Sequence, residues 1–183
     1  MLKSMKKLHI LGKVGATLLI LLTSVAAAQE VTDYVLGPGD QVAISVFGEP
    51  DLSMEFTLRD NGELNYPFLG EIQVAGLTVP ELELQIAEGL KGDYLIDPDI
   101  TVSITEYRPF FLNGEVNRPG GYPYQPGLTL EKALALAGGL SPRAARNKIL
   151  VKRASESSDI EINIKMSDRI RAGDVITVPQ SFF

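Results

Sequence analysis

The sequence predicts an α+β fold built from two small modules. Three observations predict it. Short runs of alternating apolar residues recur along the chain, only two stretches carry helix start and stop signals, and the charge balance changes sign near the middle. Residues 29–106 hold 16 acids and only two bases, Arg59 and Lys91, whereas residues 107–183 hold 7 acids and 11 bases. The change falls at Tyr107-Arg108-Pro109, so the expected organisation is residues 1–28, 29–107 and 108–183.

Residues 1–28 have the pattern of a secretory signal peptide. Lys3, Lys6, Lys7 and Lys13 make a positive start, and Val14 to Val25 form an apolar stretch. Ala26 and Ala28 then put small side chains at the −3 and −1 positions, so cleavage is expected between Ala28 and Gln29. The apolar stretch is shorter than the roughly 20 residues of a spanning helix. A soluble, exported chain with 13 bases against 23 acids is the expected product.

The first module opens on Gly37-Pro38-Gly39-Asp40, a structural turn, followed by the alternating strand Val42 to Phe47. Asp60-Asn61-Gly62 reads as a hairpin turn joining Glu55–Leu58 to Glu63–Tyr66, because Asn and Gly tolerate positive φ. Gly37, Gly39, Gly62 and Gly120 are all expected at turns of unusual φ. Gly70–Val74 is a further short strand. Thr78 and Glu81 form a capping box, and Leu82, Ile86 and Leu90 then make one apolar stripe of an amphipathic helix. Asp97-Pro98-Asp99 breaks the chain before the strand Ile100–Ile104.

The second module begins with a strand at Phe110–Leu112, whose two phenylalanines point to opposite faces, so that one suffices for the core. Asn117 to Tyr122 is a turn-rich loop. Thr129 caps a helix from Leu130 to Ala137, and Gly138-Gly139 ends it. Strands follow at Ile149–Lys152, Ile160–Ile164 and Val175–Val178.

Composition removes much active-site chemistry. The 183 residues include no Cys and one His, His9, which lies in the leader. Thiolate and imidazole zinc sites, Cys-His and Ser-His-Asp nucleophiles, disulfides and a lipid-bearing N-terminal cysteine are therefore excluded for the mature chain. Asp97 with Asp99, or Glu49 with Asp51, has a spacing that a glycosidase pair does not forbid. Acidic turns beside proline are far commoner than such sites, and no catalytic residue, metal ligand or cofactor site is expected. The chain lacks phosphate-binding glycine motifs, and its acidity argues against nucleic acid.

Tyr34-Val35-Leu36-Gly37-Pro38-Gly39-Asp40-Gln41-Val42 resembles the opening signature of bacterial polysaccharide export proteins. Asp60-Asn61-Gly62-Glu63, Tyr66-Pro67 and Leu69-Gly70, and then Tyr94 to Val102, are similar to later parts of the same domain. Asn113-Gly114-Glu115-Val116, Pro119-Gly120 and Leu136 to Gly139 resemble the soluble ligand-binding β-grasp (SLBB) domain that follows it, and Arg171 to Ile176 resembles its closing strand. The resemblance implies a polysaccharide-export domain followed by a β-grasp domain. It also implies a ring-forming homo-oligomer that passes capsule or exopolysaccharide through the envelope with an inner-membrane co-polymerase. The Wza-like members carry a lipidated cysteine and a C-terminal amphipathic pore helix. Neither is present in these 183 residues, so a periplasmic member, peripherally associated with the outer membrane and working with a separate pore protein, is expected.

Two groups are candidate contacts for polysaccharide or a neighbouring subunit. Arg143, Arg146, Lys148, Lys152 and Arg153 fall within eleven residues, with no acid between Glu131 and Glu156. Tyr107, Tyr122 and Tyr124, with Arg108 and Arg118 beside them, offer aromatic faces for sugar C–H surfaces and donors for hydroxyls; the bland alternative is a module core. The expected function is a non-enzymatic conduit or docking ring. A monomeric carbohydrate-binding or sensing module is the alternative.

Overall fold

The computed structural model describes residues 34–154 and 160–181, so the expected cleavage site between Ala28 and Gln29 lies outside the described residues. The fold is α+β, with ten strands, two α-helices and two separate hydrophobic cores among the described residues.

Strand β1 (Gln41–Val46) turns Val42, Ile44 and Val46 inward and leads through a 3-10 turn, Pro50–Leu52, into β2 (Met54–Thr57). Strands β3 (Glu63–Tyr66) and β4 (Gly70–Gln73) form a hairpin of their own. Helix α1 (Val79–Leu90) follows, and β5 (Ile100–Glu106) completes a three-stranded antiparallel sheet in the order β2-β1-β5. The expected capping box is present. Glu81 accepts the Thr78 N–H at 2.7 Å and the Thr78 hydroxyl at 2.8 Å, and these hydrogen bonds hold its carboxyl below the usual range. Leu82, Ile86 and Leu90 are buried, and α1 packs on β5, where Glu83 accepts the Val102 amide at 2.8 Å.

The Asp60-Asn61-Gly62 turn does not close the expected hairpin. Arg59 N–H reaches Glu63 O at 3.1 Å, but β2 then pairs with β1 while β3 pairs with β4. The Gly62 carbonyl accepts the amides of Val74 and Ala75 at 3.0 and 2.9 Å, so the turn closes against the end of β4 instead. Its glycine does take positive φ, +78°.

The second half is one five-stranded sheet, β7-β6-β10-β8-β9, made of β6 (Phe110–Gly114), β7 (Gly120–Tyr122), β8 (Ile149–Lys152), β9 (Glu161–Ile164) and β10 (Val175–Val178). β10 runs parallel to β6, and the other pairs are antiparallel. Helix α2 (Leu130–Leu136) buries Leu130, Ala133 and Leu134 in the same core as Phe110, Ile149 and Ile176. A mixed sheet with one helix laid on it is a β-grasp-like arrangement. Phe110 is fully buried and Phe111 is 42% exposed, as opposite faces of one strand require. Strand β7 lies within the stretch expected to be loop. Its Gly120-Gly121 has little strand propensity, and pairing with β6 holds it extended.

Candidate functional site

Two short turns of the same construction meet at the joint between the halves. In the first, Asp40 Oδ2 accepts the Gly37 amide at 2.9 Å, and Gly39 takes φ +90°. In the second, Asp174 Oδ2 accepts the Arg171 amide at 2.8 Å, and Gly173 takes φ +80°. In each, the aspartate is buried, the next residue begins a strand (β1 or β10), and an arginine side chain comes to the carboxylate. The sequence signal is the repeated Gly-Asp before an alternating apolar run.

Arg108 lies between the two turns. Its Nη1 is 2.6 Å from Asp40 Oδ2 and 3.1 Å from the Tyr34 hydroxyl oxygen, and its own amide donates to Asp40 Oδ1 at 2.8 Å. A Cβ on Gly37 would stand 2.6 Å from Arg108 Nη1, and one on Gly173 would stand 3.0 Å from Arg108 Nε. Gly37 is thus needed for close approach of the guanidinium. Positive φ, expected there, is found at Gly39 and Gly120 but not at Gly37. Backbone bonds complete the joint: Gly173 N–H to Pro109 O at 3.0 Å and Phe111 N–H to Asp174 O at 2.8 Å.

The two carboxylates differ in how fully they are satisfied. Asp40 also accepts the Tyr34 hydroxyl at 2.7 Å, so both of its oxygens carry two donors. Asp174 places Arg171 N–H and Arg153 Nη1 on Oδ2 and leaves Oδ1 without a hydrogen-bond partner. Burial raises the Asp174 carboxyl above its ordinary value, against the lowering effects of the Arg171 amide and the Arg153 charge.

Tyr34, which the residue-by-residue reading did not single out, joins Tyr107 and Tyr124 over this joint. Tyr34 and Tyr107 meet edge to face at 4.9 Å, and Tyr124 lies 5.6 Å from Tyr107 and 6.3 Å from Tyr34. Burial raises all three phenols, and for Tyr34 the hydrogen bond to Asp40 adds to it. Its non-local partners explain why it was missed: Tyr34 and Arg108 are 74 residues apart. Tyr122 belongs elsewhere. It stacks on Phe110 at 5.9 Å, and its hydroxyl donates to Arg118 O at 2.5 Å.

The candidate cations separate by role. Arg108 and Arg153 are bound to buried aspartates, and Arg118 Nη2 donates to Leu136 O at 2.8 Å, where a cation suits the C-terminal end of α2. Arg143, Arg146, Lys148 and Lys152 are exposed. β8 stands between Lys148 and Arg153, so the eleven-residue cluster divides between the two ends of that strand.

Two concavities lie on this framework. One of about 660 Å³ follows the joint beneath Gly37, Arg108, Pro109, Phe111, Ala154 and Gly173. The other, of about 370 Å³, is lined by Glu131, Leu134, Ala135, Leu140, Arg146 and Met166. Among the described residues no group of three His, Cys, Asp or Glu side chains is placed to hold a metal. No helix among them is long and apolar enough to cross a membrane.

Two known families match successive segments of the chain. The polysaccharide biosynthesis/export protein family matches residues 28–105, and the SLBB domain family matches residues 109–161. These are export families, not enzyme families. Among curated relatives, the exopolysaccharide production protein ExoF of Rhizobium meliloti (strain 1021) is 32% identical over 170 residues, covering 85% of this chain and 39% of that protein. The EPS I polysaccharide export outer membrane protein EpsA of Ralstonia nicotianae is 26% identical, covering 82% of this chain and 48% of that protein. The polysialic acid transport protein KpsD of Escherichia coli is 26% identical, covering 77% of this chain and 25% of that protein. The chain thus spans between a quarter and about half of the length of these relatives.

Proposed function

This chain belongs to the polysaccharide biosynthesis/export protein family, and from that membership we propose that it is a periplasmic subunit of a capsule or exopolysaccharide export complex. In this reading, copies of the chain form a conduit or docking ring, peripherally associated with the outer membrane. The ring lies between an inner-membrane co-polymerase and a separate outer-membrane pore.

The observation that carries the proposal is the joint. Two family segments occur in order, and the residues between them are tied to both by a buried ion pair and three tyrosines. A subunit that forms part of a passage needs a fixed angle between its modules more than it needs a deep binding pocket. Weak, repeated polar contacts suit a moving polymer, because tight binding would hold it in place. Exposed Arg143, Arg146, Lys148 and Lys152 are the contacts proposed for an anionic polymer or for a neighbouring acidic module.

Light scattering of residues 29–183 across concentration and salt, alone and with the co-polymerase, tests the assembly. Concentration-dependent growth beyond a monomer is expected. A strict monomer under every condition would favour a monomeric carbohydrate-binding module instead. Release of reducing ends from the native polymer would contradict a non-enzymatic role.

A further inference from the structure

The joint lies at the first residues of β1 and β10, so the opposite ends of those strands are the parts of the two modules furthest along from it. At the end of β1, the chain leaves Val46 for Phe47, whose amide donates to Asp99 O at 2.9 Å, and Ile96 is three residues from that contact. Phe47 is 83% exposed and Ile96 is 93% exposed, the highest values among the large hydrophobic side chains described. Exposed Glu49, Asp51, Asp93, Asp97 and Asp99 lie in the same two loops, with Lys91 the nearest base in sequence.

The far end of the second module has the opposite character. Ala145 N–H donates to Pro179 O just beyond β10, and exposed Arg143, Arg146 and Lys148 surround that point in the chain. Beside them is the cavity of about 370 Å³, apolar through Leu134, Ala135, Leu140 and Met166, with Arg146 and Glu131 as its charged lining.

We infer that these two ends are complementary halves of one contact between copies of this chain. The Phe47–Ile96 tip of one copy seats against the Arg146-lined cavity of the next, and the acids around the tip face Arg143, Arg146 and Lys148. The inference rests on the reading of the chain as an assembling subunit and names the surfaces that assemble. Exposed single charge pairs contribute little, whereas an apolar anchor placed in a cavity inside a polar rim is the arrangement that carries binding. A contact between unlike ends is heterologous, so it propagates from copy to copy until it closes on itself.

The test uses residues 29–183, which retain the compact unit Tyr34–Phe183, in sedimentation velocity at low and high salt. Phe47→Ser/Ile96→Ser removes the tip, and Arg143→Glu/Arg146→Glu reverses the cavity rim. All four side chains are exposed, so unchanged circular dichroism and melting are expected of both variants. The tip variant alone is expected to associate at least tenfold more weakly, in keeping with about one or two lost apolar anchors, and the reversed rim alone is expected to weaken association by setting like charges against the acids of the tip. An equimolar mixture of the two is expected to form a dimer and nothing larger, because each copy keeps one working end. Asp97→Arg/Asp99→Arg combined with the reversed rim is expected to recover association. Unchanged association of both variants, or a mixture that stays monomeric, would overturn the contact. So would binding of the unaltered chain to lipid vesicles that the tip variant loses without any change in self-association. Export that fails on loss of the chain while the tip variant still exports would remove this contact and leave the export role standing.

Discussion

The Arg108 guanidinium and the Asp40 carboxylate meet at 2.6 Å across 68 residues of sequence, with the carboxylate fully buried. Arg108 is also the residue against which Gly37 and Gly173 are packed, so one side chain measures the spacing between the two Gly-Asp turns. Removing one partner of a buried pair leaves a charge without compensation, which costs on the order of 3–5 kcal/mol. Asp40→Ala is therefore expected to lower the unfolding free energy read from urea melts by an amount at the low end of that range, since Arg108 retains some solvent contact. A double-mutant cycle with Arg108→Met is expected to return a coupling of about 1 kcal/mol or more. Additive effects would show that the pair does not hold the joint.

The glycines of the first turn separate two causes of strain. Gly37→Ala places a Cβ against the Arg108 side chain, whereas Gly39→Ala meets only an ordinary 3.5 Å contact but must adopt φ +90°. In an Arg108→Ala background, Gly37→Ala is expected to become nearly neutral. Gly39→Ala is expected to keep its cost of about 1–2 kcal/mol in both backgrounds. Denaturant melts of the five variants, Arg108→Ala alone among them as the reference for the two double variants, check this.

Alkaline pH is expected to loosen the joint. The Tyr34 phenol is raised in the folded chain by burial and by its hydrogen bond to Asp40. Its stabilisation is then fully present below the unfolded value of about 10 and is lost as pH rises through the higher folded value. Tyr34→Phe is expected to be less stable than the unaltered chain at neutral pH and to show a shallower decline above about pH 10. Thermal melts from neutral to alkaline pH measure the difference.

Acid acts on the α1 cap with the opposite sign. The Glu81 carboxyl is lowered by the Thr78 amide and hydroxyl, so its contribution is present above the unfolded value near 4.3 and fades as pH falls through the folded one. Glu81→Ala is expected to melt below the unaltered chain at neutral pH, and the two curves are expected to converge in acid. A constant gap down to low pH would contradict the cap.

Local signals were legible in the sequence, and long-range partners were not. The α1 cap, its stripe of Leu82, Ile86 and Leu90, and the alternating β1 and β10 depend on residues within a few positions of one another, and each is found where the pattern puts it. The Asn-Gly turn misled because turn chemistry specifies a reversal but not which strands will pair after it; the amides of Val74 and Ala75 decide that. Strand β7 was hidden in a glycine-rich stretch that only its neighbour makes extended. The candidate cations read as one group because they are close in sequence, yet β8 divides them, and Arg153 has its buried partner 21 residues away at Asp174. Asp40 was legible as a turn residue; that it is also the anchor for Tyr34 and Arg108 was not.

The export role is tested most directly by deleting the gene for this chain and measuring polysaccharide in the medium and in the periplasm of the same cells. Polymer is expected still to be made, to disappear from the medium and to accumulate inside the envelope, and the unaltered chain is expected to restore secretion. Secretion that continues undiminished without the chain, or polymer synthesis that stops while nothing accumulates, would contradict that role.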